Sequence, residues 1–370
     1  MKTRISLILT LVLIVLSGLS ASACLKFINK SANSTAVEEI QKHSSDITKS
    51  LDFEILPTMN TLSNATNQVW VGTFHLIWND LIDEIIKHPV EFAGEKSVMA
   101  DNLNKREFST GDLSDSSYYK KLGLASPAMK KEIETGIKQK FNETSDILGL
   151  FDWTPAPDKY ILYAMLKKDF QYIEPFDKLE DDNFEGSEGK VKYFGIDEDS
   201  KWNLRNTVGV LFYNGRNDFA VSLKSKQGDI VYLYRTNDTK TFDTLYSDMQ
   251  NKSKDYKGKK YLAKIDEFKA PVIEFKSERE FPELSNKPIK DSRFLISKAI
   301  ETVQFKMDET GVKLKSEAGM MMATSAAPGF DVEIPRFFYC DGRYVIFMLD
   351  EGKDKPYFAL KVADAKKLQK

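Results

Sequence analysis

The chain has 370 residues, 42% of them hydrophobic and 29% charged, with a formal net charge of −2 at neutral pH. This is the composition of an ordinary globular protein, and one large domain or two medium ones would fit. Near-zero net charge and the lack of a basic block give no reason to expect nucleic acid as a partner.

The N-terminus reads as a processing signal over residues 1–23. Met1-Lys2-Thr3-Arg4 is a short positive region, and the apolar run Ile5 to Leu16 is too short to span a bilayer comfortably. Ala21-Ser22-Ala23-Cys24 ends it. Ala-x-Ala suits ordinary signal peptidase. The same four residues resemble a bacterial lipobox, with Ala21 where leucine is usual and Cys24 as the lipid attachment site. A cell-surface lipoprotein is the preferred expectation and plain secretion the alternative. Loss of Lys2 and Arg4 would carry the net charge from −2 to about −4. Cys24 and Cys340 are the only cysteines, so lipidation of Cys24 leaves no intramolecular disulfide and the domain must rely on its core. Cys340, among Phe337, Phe338, Tyr339 and Tyr344, is expected to be a buried small apolar residue rather than a nucleophile.

Residues 24–38 are polar and read as a tether, leaving 39–370 as a single domain, and a helical pattern runs from Ala36 to Leu51. Gln68 to His88 starts as a short apolar strand and becomes an amphipathic helix with Phe74, Ile77, Leu81 and Ile85 on one face. Residues 100–125 are polar and loop-rich. Pro127 to Phe151 reads as a helix with Ile133, Ile137, Phe141 and Ile147 near one stripe. The remainder is largely β. Strands are expected at Lys159–Lys167, Lys190–Gly195, Val208–Tyr213, Asp218–Leu223, Ile230–Thr236 and Tyr261–Ile265. Further ones are expected at Pro271–Phe275, Ile300–Met307, Tyr344–Leu349 and Tyr357–Val362. Asn214-Gly215 marks a hairpin turn, and Thr241 to Gln250 a short helix. Helices first and mostly antiparallel strands later predict one α+β domain.

Enzyme signatures do not emerge. The sequence has no G-x-S-x-G elbow, phosphate-binding glycine loop, H-E-x-x-H or paired C-x-x-C. Three histidines give little material for a histidine metal site, and His75 is expected to be packed and hydrogen-bonded. The clusters Glu180-Asp181-Asp182 and Asp197-Glu198-Asp199 lack the spacing of a calcium loop and read as solvated faces. No enzyme activity, metal or cofactor is expected.

One stretch stands out. From Val312 to Ala318 the side chains alternate: Val312, Leu314, Ser316 and Ala318 on one face, Lys313, Lys315 and Glu317 on the other. As a strand with the first set inward, burying Val and Leu contributes roughly 3–6 kcal/mol. The opposite phase buries two lysines and a glutamate without partners, which costs far more. A permanent strand remains an alternative to one that forms by insertion.

The order of segments resembles the serpins, in a divergent bacterial form. "FLISKAIETVQFKMDETG" is similar to the strand leading into their reactive loop, "GMMMATSAAPGF" to the loop of bacterial members, and "RFFYCDGRYVIFML" and "KPYFALKV" to the closing strands. "VGVLFYNGRNDFAVSL", "YILYAMLKKDFQYIEPFD", "KFNETSDIL" and "VWVGTFHLIW" follow the upstream family segments in order. The resemblance implies helices packed on large, mostly antiparallel sheets and an exposed reactive-centre loop, with Glu309 and Gly311 as its hinge. It also implies a mechanism: a protease cleaves the loop, an acyl-enzyme forms, and the loop's N-terminal half inserts into the main sheet and distorts the protease.

Family spacing puts the scissile bond near Ser325-Ala326, among Ala323, Thr324 and Ala327, with Met320 to Met322 as a second option. No Arg or Lys lies between Glu317 and Pro335, so elastase-like or subtilisin-like serine proteases are the expected partners, together with the membrane through the lipid. A monomer is expected. The sequence departs from the inhibitory pattern at Val312, Leu314 and Lys315. It departs again where the sheet opens, at Gly72-Thr73-Phe74-His75, Tyr163, Phe170 or Tyr172, and Glu301. Two alternatives stay open: a non-inhibitory serpin-fold surface lipoprotein acting as a binding or structural module, and an unrelated exported lipoprotein that binds a small ligand.

Overall fold

Phe53–Leu56 (β1) and Asn67–Val71 (β2) begin the described part of the chain, which in this computed structural model is residues 52–314 and 334–369. The signal and tether, the helical pattern at 36–51, Cys24, Ser316, Ala318 and the scissile region Ala323–Ala327 lie outside it. β2 passes through Gly72 into helix α1 (Thr73–Asp80), which widens into a π turn over Leu81–Ile86 and stops at Lys87 in the left-handed region (φ 66°). Gly72 is required by close approach, because a Cβ there would sit 2.2 Å from the Phe108 ring. Ser97 caps the short α2 (Val98–Leu103) by accepting from the Ala100 N–H.

Two expectations fail in the next stretch. Tyr118–Leu124, read as loop, is a strand (β3): its Tyr-Tyr-Lys-Lys run has no apolar face because it lies in a two-stranded sheet and is nowhere fully buried. The helix opened by Ser126 and Pro127, α3 (Pro127–Phe141), ends at Asn142 in the left-handed region (φ 55°) instead of reaching Phe151. Ile147 still packs against the Ile133 and Ile137 cluster, so the apolar stripe outlasts the helix.

Strands then dominate: β4 (Tyr160–Leu166), β5 (Lys168–Gln171), β6 (Asp177–Asn183), β7 (Lys190–Ile196), β8 (Val208–Tyr213), β9 (Phe219–Lys224) and β10 (Ile230–Arg235). Helix α4 (Phe242–Asp255), capped by Thr241, precedes β11 (Glu267–Pro271), β12 (Ile273–Glu280), β13 (Ile300–Met307) and β14 (Gly311–Leu314). Last come β15 (Phe337–Tyr339), β16 (Tyr344–Leu349) and β17 (Phe358–Val362). Tyr261–Ile265 is not a strand; Tyr261 makes only a single bridge to Gly209. Glu180-Asp181-Asp182 lies exposed on β6, an edge strand, where charge opposes unwanted pairing.

The strands form a seven-stranded sheet (β1-β2-β17-β16-β10-β9-β8), two four-stranded sheets (β15-β11-β7-β6 and β12-β13-β14-β5) and the β3-β4 pair. All pairings are antiparallel except β1 with β2 and β11 with β15. The fold is therefore α+β, with helices concentrated before β4 and large, mostly antiparallel sheets. β16 and β17 are buried at every residue and hold the centre of the largest sheet. Cys340 is fully buried, and burial pushes its thiol far up.

Candidate functional site: a one-strand slot between β4 and β13

β13 alternates as a half-buried strand should. Glu301, Val303, Phe305 and Met307 are buried, whereas Thr302, Gln304 and Lys306 are not. The chain then reverses over Asp308–Gly311, where the Asp308 carboxylate accepts from the Thr310 N–H (2.9 Å) and hydroxyl (2.6 Å). Glu309 anchors the turn: its carboxylate lies 3.2 Å from Lys178 Nζ, and its carbonyl accepts from the Phe176 N–H. Gly311 passes so close to β5 that a Cβ would fall 2.1 Å from the Phe170 carbonyl oxygen.

β14 returns antiparallel between β13 and β5, with Met307 opposite Val312 and Lys168 opposite Leu314. Val312 is 0% exposed, Leu314 6%, and Lys313 faces out. The permitted phase is the one observed for these three residues. At this level β5 and β13 are held two strand spacings apart, about 9.5 Å.

Below Leu314 the walls continue but no described strand lies between them. Among the described residues, β4 pairs only with β3, and β13 meets β14 only at Lys306 and Met307. The space between is a cavity of about 490 Å³, with Leu314 at its mouth. Its floor is the α1 face expected from the sequence, Phe74, Ile77, Leu81 and Ile85, joined by Trp78. On the face of α1, Leu162, Ala164 and Leu166 of β4 stand on one side and Glu301 and Val303 of β13 on the other, whereas Ile161, Tyr163 and Met165 turn to the opposite face and pack with Ile133 and Ile137 of α3.

Glu301 is a buried carboxyl among the residues that line this cavity. It is 5% exposed; the Thr73 hydroxyl donates to its Oε1 (2.6 Å), and its Oε2 has no hydrogen-bond partner. Burial pushes its carboxyl up to about 8, against the Thr73 hydrogen bond and the Arg279 charge. Tyr163 is pushed up to about 12, mainly by burial.

Of the positions that depart from the family pattern where the sheet opens, the structure joins Thr73 to Glu301, and it places Tyr163 on β4 with its ring in the α3 cluster on the other face. His75 points elsewhere, edge-on to Trp70. Burial, with a smaller contribution from Lys355, lowers its imidazole to about 4. It is packed as expected, but its Nδ1 is buried without a hydrogen-bond partner, so the expected hydrogen bond is not found there. Tyr172 is fully buried against Phe176, and its N–H donates to the Thr310 carbonyl.

Sequence reasoning missed Lys168. This buried lysine sits opposite Leu314 and reaches Asp229 (2.8 Å) and Asp350 (2.9 Å), while Tyr357 donates to Asp229. It fastens β5 to the seven-stranded sheet beside the slot's mouth. No local pattern marks it, because its partners lie at two distant strand ends.

No family model and no curated protein matches the chain. Among solved structures it is similar to several serpins. With maspin the identity is 11%, covering 67% of this chain and 76% of that one, at a TM-score of 0.45. With Serpin48 of the insect Tenebrio molitor the identity is 13%, coverage 68% and 78%, TM-score 0.41. With thyroxine-binding globulin in complex with thyroxine it is 14%, coverage 64% and 65%, TM-score 0.40, so the chain spans about 65% of that protein's length.

Proposed function

We propose that the chain is a serpin-like inhibitor of serine proteases that prefer small residues, acting by loop cleavage and strand insertion. The observation that supports this reading most is β14, a strand already seated between β13 and β5 whose last described residue, Leu314, lines the cavity between β4 and β13. Both walls carry strand edges without a described partner, and an extended segment is what satisfies such edges. Continued in register, Ser316 would stand opposite Val303 and Leu166, and Ala318 opposite Glu301 and Ala164. The scissile region Ala323, Thr324, Ser325, Ala326 and Ala327 would then be the protease's target. Display at the cell surface through a lipid on Cys24 belongs to the same proposal, and the mass of the N-terminal peptide from the producing cell checks it.

Incubation with elastase and with subtilisin tests the mechanism. The expected result is a covalent, SDS-resistant adduct and loss of protease activity. Cleaved protein alone, with the protease still active, would refute inhibition. Leu314→Asp places a charge at the slot's mouth and should abolish the adduct. The second reading, a non-inhibitory binding or structural module, draws support from the bulk of Leu314 and from Glu301 in the path of the strand. Both would slow insertion in its race with deacylation.

A further inference from the structure

Far from the slot, three separate stretches of chain meet and are fixed to one another. Residues 201–207 lead from β7 to β8, residues 256–266 from α4 to β11, and residues 334–336 into β15. Two arginines do the fixing. Arg205, 5% exposed, donates to the carbonyls of Ala263 (3.3 Å), Ser200 (3.3 Å) and Asp197 (3.0 Å). Arg336 donates to the carbonyls of Lys259 (2.9 Å) and Tyr261 (2.7 Å) and to the Asp266 carboxylate (2.6 Å). Tyr261 also bridges to Gly209 at the start of β8. On this framework large apolar side chains stand out in solvent: Trp202 is 54% exposed, Tyr261 56%, Ile265 40% and Ile334 87%. Apolar surface gathered in this way, on backbone that is held rigid, marks an interaction site.

The charges beside these side chains are mostly lysines. Lys201, Lys257, Lys259, Lys260 and Lys264 are exposed on the same stretches, against the exposed acids Glu198, Asp199 and Asp255. Among the described residues Lys201, Lys257 and Lys264 are in no ion pair. Arg205 and Arg336 are offset by Asp197 and Asp266. The rim is therefore net positive on a chain whose overall charge is −2. We propose that this rim is a membrane-docking surface for anionic phospholipid. Trp202, Tyr261, Ile265 and Ile334 enter the headgroup layer, and the lysines reach the phosphates. Two features select lipid over a protein partner. Trp and Tyr have an apolar body and a polar edge, which suits the boundary between acyl chains and headgroups. The cations on offer are all lysines, which protein interfaces avoid, whereas the arginines that protein interfaces favour are occupied inside as clamps. The attraction to an anionic leaflet follows from the charge. The proposal depends neither on strand insertion nor on a lipid at Cys24.

The experiment uses the whole chain from residue 24 with Cys24→Ser, so that no lipid is attached. It is sedimented with vesicles of phosphatidylcholine alone and of phosphatidylcholine with about 30% phosphatidylglycerol. Binding should be about tenfold tighter to the anionic vesicles at about 0.1 M salt and should fall steeply at about 0.5 M. Lys257→Gln and Lys264→Gln should each weaken it about fivefold, and Trp202→Ala about tenfold. Trp70 and Trp78 are buried, so a blue shift of the emission on binding reports Trp202 and should vanish in Trp202→Phe. Leu62→Ala, at an exposed residue beside β1 on the opposite edge of the seven-stranded sheet, should bind like the natural chain. All of these positions are exposed, so melting temperatures should stay unchanged. Absence of binding, equal binding to both vesicles, or binding undiminished in the Trp202 and lysine variants would overturn the proposal. Self-association lost in Trp202→Ala, without vesicle binding, would overturn it in favour of a protein partner. No protease enters the measurement, so its outcome is separate from that of the adduct test.

Discussion

In the seven-stranded sheet, β16 and β17 are buried along their whole length and paired on both edges. In the sheet β12-β13-β14-β5, β13 is paired along β12 for its whole length but, among the described residues, meets β14 only at Lys306 and Met307. Both sheets are built from strands that alternate or run apolar, and both face the same core cluster. The difference lies in the partner, not in the residues of β13. A strand edge in the interior without a ladder partner is costly, and a fold keeps one where something is to be added. Under the proposed function the first sheet supplies the stability, and the second is where a strand would be added.

The largest effect should come from filling the slot. A single cut in the loop should raise the melting temperature by about 10 °C or more, because the added strand completes two ladders and covers the α1 face. Calorimetry of intact and cleaved protein reads this directly. Next in size, Phe347→Ala on β16 should lower stability by about 3–5 kcal/mol in denaturant titration, by the same amount in intact and cleaved protein, since the finished sheet is indifferent to the slot. A loss confined to one form would break the comparison.

The Glu301 carboxyl gives the third test, and its sign is fixed by the direction of the shift. Its folded value, about 8, lies above the ordinary 4.5. The stability tied to its neutral form is therefore complete below pH 4.5 and is lost as pH rises through about 8. Glu301→Gln should accordingly match the natural chain in acid and exceed it by roughly 2–4 kcal/mol at alkaline pH. The smallest effect is expected at the hinge. Gly311→Ala forces β14 away from the Phe170 carbonyl and should cost about 1–3 kcal/mol by denaturation, while also weakening adduct formation.

Much of this frame was legible in the residues. Val208–Tyr213, Ile300–Met307 and Tyr344–Leu349 have the expected bounds because each run alternates or is uniformly apolar and ends in polar residues. Phe74, Ile77, Leu81 and Ile85 were expected on one helical face, and that face floors the slot. Val312 and Leu314 take the buried phase because their charged neighbours exclude the other. β3 was hidden by its polar side chains, and the end of α3 by a stripe that continues past Asn142. The slot itself was not legible, because a gap between strands distant in sequence leaves no local signature. Nor was the ion cluster at Lys168, or the Thr73–Glu301 bond, although both ends of that bond had drawn notice as departures from a pattern.

The central claim is that the edges of β4 and β13 wait for a strand, and amide hydrogen exchange of Tyr160–Leu166 and Ile300–Phe305 measures it most directly. These amides should exchange readily in the intact protein on the edges that face the slot and become strongly protected once the loop is cut, while β16 and β17 stay protected throughout. Unchanged exchange on both walls after cleavage, or full protection before it, would contradict the account.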